Sequence, residues 1–352
     1  MTAFRAASTD EVSMEGASEF RPLQSLRCQD PQRSEPGSDR VFRMTRRTLF
    51  SAAAYSVIAA KSAAAAPARG KSRIRLGGPV FAKQEDPREL ARAHRALGYS
   101  AAYCPDVKIE DTERIRAIQD AFKIENVVIS EVGAWVNLLD PDSDKRKHNF
   151  DFVASRLALA DAVGATCCVD IAGSYNPTVW YGPHPKNLSR EFFDATVENC
   201  RKLIDQVKPT RTKFCIEMMG SSVPDCAESY LDLIKAVQRK AFGVHIDVCN
   251  VISSPARFYD TGAFIRQTIA KLAPWILSCH AKDLIWQPEM NLHFIEVVPG
   301  RGSLDYRAYL EALAALPQET PLMLEHLSKA EEYAEGAAYI RKIAVDAGVA
   351  FV

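Results

Sequence analysis

The chain has 352 residues, with 44 Lys+Arg set against 44 Asp+Glu and a formal net charge of zero. That balance lacks the basic excess carried by nucleic-acid binders, so no nucleic-acid partner is expected. A hydrophobic content of 47 % suits one large core, and roughly 250–280 residues suffice for a single α/β barrel.

In chain order, residues 1–43 come first: polar, turn-rich ("RSEPGSDR" at 33–40) and without a sustained apolar period. This composition reads as disordered, or as sequence upstream of the true start. Residues 44–70, "MTRRTLFSAAAYSVIAAKSAAAAPARG", place Arg46-Arg47 before a short apolar run and end in small residues near Ala66-Pro67-Ala68. The segment resembles a twin-arginine export signal, which implies a periplasmic or exported protein. Met44 stands where such a signal would start. The alternative, an alanine-rich linker with a chance Arg-Arg pair, leaves the protein cytoplasmic. The apolar run, Leu49 to Ala60, is followed by Lys61 and is too short for a stable membrane span.

From residue 71 to 352 a β-rich run, a polar loop and a stretch of helical period recur. The strand candidates are "RIRLG" near 73, "SAAYC" near 100, "NVVISEV" near 126 and "TCCVDIA" near 166, then "KFCIEMM" near 213, "FGVHIDV" near 242, "WILSCHA" near 275 and "PLMLEHL" near 321. Helices such as "DPRELARAHRALG" separate them, with Asp86 as N-cap and Pro87 at the first helical position. Eight such units predict a (β/α)8 TIM barrel. No GxGxxG follows the first strand, which leaves a dinucleotide-binding open sheet without support. The nine cysteines are odd in number, lack CxxC spacing and sit mostly in apolar runs, so mostly free, buried thiols are expected.

Four consecutive strands end in metal-type ligands: Glu217 in "CIEMM", Asp247 in "HIDVCN", His280 in "SCHAKD" and Glu325 in "LEH". Strand alternation puts Cys215 with Glu217, His245 with Asp247, Ser278 with His280, and Met323 with Glu325 on common faces. One phase across four strands aims the ligands into the mouth of a barrel, whereas an open sheet would spread them in a row. Three carboxylates and one imidazole suit a divalent ion, Mn²⁺ before Mg²⁺, Co²⁺ or Zn²⁺.

Residues 72–352 resemble the xylose-isomerase-like TIM-barrel superfamily, the sugar phosphate isomerase/epimerase group. The motifs that carry the resemblance are "CIE", "VHIDVCN", "SCHAKD", "PGRGSLDY" and "LEH". It implies a metal-dependent isomerase or epimerase for a small-molecule carbohydrate. Glu217 and Glu325 would both ligate the ion and move protons on opposite faces of the carbon next to a carbonyl, through an enediolate. A homo-oligomer is compatible with it.

Around this ring, Lys282 shares the parity of His280 and is read as a donor to sugar hydroxyls or an oxyanion. Asp283 is read as a loop cap or the partner of that lysine. Arg301, in a glycine-bearing loop, and Glu131 and Trp135, after the third strand, are further substrate-binding candidates, as is Asn250. His245 reads as a hydrogen-bonded barrel residue, and Trp180 and Tyr181 as lid aromatics.

The chain departs from the ketohexose 3-epimerases of the group. They carry a histidine, a glutamate and an arginine where this sequence has Asn250, Val223 and Trp286, so their grip on the sugar's O1 and O2 does not carry over. An alternative on the same barrel is a lyase that eliminates the aglycone from 3-keto-glycosides, and a third is a non-catalytic sugar-binding barrel. An apurinic endonuclease would need many histidines for its zinc ions. This chain has seven, of which His245, His280 and His326 sit in strand candidates.

Overall fold

The structure, a computed structural model, describes residues 74–352. The segments 1–43 and 44–70, with the twin-arginine-type motif, lie outside the described residues. The strands are β1 (Ile74–Gly77), β2 (Ala101–Tyr103), β3 (Val128–Gly133), β4 (Cys167–Asp170), β5 (Lys213–Glu217), β6 (Phe242–Ile246), β7 (Ile276–Ala281), β8 (Asp283–Trp286), β9 (Phe294–Val297) and β10 (Thr320–Leu324). The helices are α1 (Pro87–Ala96), α2 (Thr112–Ile124), α3 (Ser143–Val163), α4 (Arg190–Val207), α5 (Ala227–Val237), α6 (Pro255–Tyr259), α7 (Thr261–Leu272), α8 (Tyr306–Ala314) and α9 (Ala330–Ala347).

Eight parallel strands close into a barrel in the order β1-β10-β7-β6-β5-β4-β3-β2, with helices outside: a (β/α)8 TIM barrel. Local chemistry sets the helix ends. Asp86 accepts from the backbone N–H groups of Arg88 and Glu89 to open α1, with Pro87 in the first turn. Gly164, at φ +74°, closes α3 in the left-handed conformation. The helices seal the outer strand faces in one continuous apolar layer. Inside the barrel, Cys167, Val169 and Cys215 form a small separate apolar cluster against Leu277. Gly77 of β1 leaves room for Met323 of β10, whose sulfur would lie 2.4 Å from an added Cβ. Seven described cysteines are free, six of them buried.

One element departs from the sequence reading. The stretch after β7, which offers no strand candidate in the sequence, contains β8 and β9 as an antiparallel hairpin outside the barrel. Its runs "DLIW" and "FIEV" are only four residues each and lack a two-residue turn signature, which hides them from pattern reading. Phe258 of α6 stacks on Phe294 at 5.2 Å and meets Trp286 edge-on at 5.8 Å, fixing the hairpin against the barrel rim. No helix among the described residues is long and apolar enough to cross a membrane.

Candidate metal centre

The four expected ligands meet at one mouth of the barrel. Glu217 is the last residue of β5, Asp247 follows β6, His280 lies near the end of β7, and Glu325 follows β10. Their ligand atoms all fall within 4.8 Å of one another. His280 Nδ1 is the hub, 2.7 Å from Glu217 Oε1, 3.0 Å from Glu325 Oε2 and 3.4 Å from Asp247 Oδ2.

Behind the hub, His280 Nε2 lies 3.1 Å from Glu131 Oε1. The other Glu131 oxygen meets His245 Nε2 and the Ser278 hydroxyl, each at 3.0 Å. Glu131, His245 and His280 also bring ligand atoms together, but these hydrogen bonds already satisfy the Glu131 carboxylate. The arrangement is one in which a carboxylate fixes the orientation of an imidazole, as is common behind metal ligands. Glu131 therefore does not follow the third strand as a substrate contact: it sits within β3, 1 % exposed, beneath the ring. His245 is the hydrogen-bonded barrel residue that its parity indicated.

Burial works against every charge in this cluster. For His280 the carboxylates of Glu325, Glu217 and Glu131 outweigh it and hold the imidazole well above its usual range. Burial prevails at Glu217 and raises its carboxyl despite His280. At Asp247 burial is overcome by Lys282 and His280, which hold the carboxyl well below the usual range. His280 and Lys282 likewise overcome burial at Glu325 and bring it to about 2.

Lys282 Nζ lies 2.9 Å from both Asp247 Oδ2 and Glu325 Oε2. The angles do not make hydrogen bonds, and both buried oxygens accept none. The Lys282 charge offsets part of the cost of burying these oxygens, and a divalent cation among these ligands would coordinate both. The residues present fit such an ion: three carboxylates and one imidazole, without a thiolate.

Other candidates take different places. Asn250 donates to Glu217 Oε1 at 3.2 Å and accepts from Lys282 Nζ at 3.2 Å, so it links two ring residues. Asp283 caps the loop as expected, accepting from the N–H groups of Leu284, Gly300, Gly302 and Leu304. Trp135 is 38 % exposed, its ring 6.3 Å from that of His280. Trp180 and Tyr181 are exposed, and Ser221, after β5, donates to the Tyr181 carbonyl. Arg301 is held by Glu335 through two contacts of 2.7 and 2.6 Å on the surface, and it lines a cavity shared with Lys282 and Glu325.

Sequence reasoning missed the braces behind the ring. The hydroxyls of Tyr309 and Tyr306 donate to the carbonyls of His280 and Lys282, at 3.0 and 2.8 Å. Tyr103 crosses from β2 to the Leu324 carbonyl at 2.9 Å, one residue before Glu325. It also missed Glu296 of β9, whose carboxylate lies 3.7 Å from Lys282 Nζ.

Residues 89–343 match the family model described as xylose isomerase-like TIM barrel. The sequence matches none of the curated proteins with which it was compared. Among solved structures, a xylose isomerase-like TIM barrel protein from Mycobacterium smegmatis in complex with magnesium is 17 % identical, with a TM-score of 0.54 over 78 % of this chain and 97 % of that one. D-psicose 3-epimerase from Clostridium cellulolyticum, with D-tagatose, is 15 % identical, with a TM-score of 0.56 over 78 % of this chain and all (100 %) of that one. Endonuclease IV from Thermus thermophilus is 16 % identical, with a TM-score of 0.58 over 77 % of this chain and 99 % of that one. At these identities the structures share the fold, and the match across residues 89–343 makes this chain a member of the xylose isomerase-like TIM barrel family.

Proposed function

We propose that the chain is a divalent-metal-dependent sugar isomerase or epimerase that moves the proton on a carbon next to a carbonyl. The observation that supports this reading is the convergence of Glu217 and Glu325 on the His280 hub, at 2.7 and 3.0 Å, from β5 and β10, strands that lie to either side of β7 in the barrel order. When bound, a divalent cation would polarise the carbonyl and favour negative charge on the adjacent carbon. Glu217, Asp247, His280 and Glu325 would hold it. One glutamate takes the proton and the other returns one to the opposite face. Asn250 fixes the Glu217 carboxylate from the side, and Glu131 fixes the imidazole from below.

The test joins metal analysis of the purified protein to a sugar screen in D₂O. About one Mn²⁺ or similar ion per chain is expected, stripped by EDTA, with reduced occupancy in Asp247→Asn. Deuterium should enter a carbon next to the carbonyl of the substrate. Glu217→Gln and Glu325→Gln should each lower exchange by roughly 10²- to 10⁴-fold. Full exchange in either variant at normal metal content would remove that glutamate from the mechanism. Elimination from a 3-keto-glycoside starts with the same proton removal, and the same screen would reveal it as released aglycone.

A further inference from the structure

The ring lies at the end of the barrel where the strands finish. At the opposite end, where β3, β4 and β5 begin, a cavity of about 650 Å³ opens beside the last turns of α2 and α3. It falls within the range of pockets that take one small ligand, roughly 300–1,000 Å³. Phe122, Val127, Ile129 and Val163, all buried in the core, give it an apolar floor. Lys123, Arg211 and Asp120 supply its charges.

Arg211 is ordered by the protein's own contacts. Its Nε donates to the Asp161 carbonyl at 2.9 Å and its Nη2 to the Ala162 carbonyl at 2.7 Å, which fastens the guanidinium across the end of α3. Gly164 leaves room for it, since an added Cβ there would lie 2.7 Å from Nη2. The Asp161 carboxylate accepts from the backbone N–H groups of Thr210, Arg211 and Thr212, and so fixes the loop that carries the side chain. The remaining guanidinium N–H groups, those on Nη1 among them, have no acceptor among the described residues. The Lys123 ammonium and the Asp120 carboxylate likewise have no partner among the described residues.

Lys123 and Arg211 against Asp120 leave the cavity with an excess of positive charge above an apolar floor. A guanidinium already held in place can take an oxyanion without the cost of being ordered first. An inorganic anion would use the charge and leave the floor in water, whereas an apolar body would remove that surface from water as well. We infer that the cavity is a second binding site, for a small organic acid. Its carboxylate lies against Arg211 and Lys123, and its apolar body covers Phe122, Val127, Ile129 and Val163. This assignment is independent of the sugar chemistry proposed for the ring.

The experiment is direct binding, so that it does not depend on turnover. Titration calorimetry on the full chain at low salt, before and after EDTA treatment, would compare hexanoate and benzoate with acetate and inorganic phosphate. The expected result is about one hexanoate or benzoate per chain, at least about tenfold tighter than acetate or phosphate. Affinity should be the same after EDTA, because an ion in the ring takes no part. Lys123→Glu, at an exposed side chain that makes no contact, and Arg211→Gln should each weaken binding by about tenfold. No binding by any of these acids, or acetate or phosphate binding as tightly as hexanoate and benzoate, would overturn the assignment. So would loss of binding after EDTA, which would place the acid at the ring, or unchanged affinity in either variant.

Discussion

Two histidines, one on each side of the barrel wall, are both nearly fully buried and are pushed in opposite directions. His94 of α1 packs among apolar neighbours near Tyr99 and Phe122, and burial alone lowers it to about 4. His280 of β7 is opposed by burial too, but faces the carboxylates of Glu325, Glu217 and Glu131 and is raised well above its usual range. The contrast separates the two halves of the molecule. The ends of β5, β6, β7 and β10 carry the metal-type ligands, whereas β1 to β4 supply glycines, packing residues and supports such as Tyr103 and Glu131. Burial keeps a histidine neutral in the scaffold, and the same burial intensifies charge where carboxylates surround it.

His94 gives the largest expected effect on stability. Its folded pKa of about 4 lies below the ordinary 6.5, so between these values the unfolded chain binds more protons than the folded one. Stability is therefore full above about pH 6.5 and falls as pH drops toward 4, by about 3 kcal/mol in total from this group. His94→Leu removes the titration and should lose less stability on acidification. Denaturant unfolding of both proteins at pH 7 and pH 5 checks this. An equal difference between them at the two pH values would mean that His94 does not remain neutral in the fold.

The ligand-bearing half was more legible in the sequence than the scaffold that supports it. Glu217, Asp247, His280 and Glu325 stand at the ends of apolar runs with one phase, and strand alternation needs only neighbouring residues to show it. The role of Glu131 was not legible, because its partners His245 and His280 lie 114 and 149 positions away. Alternation tells which face a side chain takes but not how deep in the barrel it sits. The aromatic side chain of Trp286 gave no sign that it would anchor a hairpin, since its partner helix α6 precedes it by a whole strand. Arg301 was read from its glycine-bearing loop, yet Glu335, on a separate helix, decides where its guanidinium points.

Glu131 tests whether the quiet half truly governs the ring. Glu131→Gln keeps the shape but removes the charge that orients His280 and raises its basicity as a ligand, and should weaken metal affinity by about 10- to 100-fold. Competition against a metal-chelating dye measures it. Unchanged affinity would reduce Glu131 to a packing residue and make the four-ligand ring self-sufficient.

Tyr103 carries the smallest effect and the sharpest distinction. Its hydroxyl reaches from β2 across to the Leu324 carbonyl, the residue before a glutamate of the ring. Tyr103→Phe leaves that carbonyl without its donor and should cost about 1 kcal/mol of stability. Because the brace acts on the backbone of β10 rather than on the ion, metal content should stay normal while turnover falls by less than tenfold. Metal loss as large as that of Glu131→Gln would show that backbone position, not ligand chemistry, holds the ring together. In that case the division between a scaffold half and a chemical half would dissolve at β10.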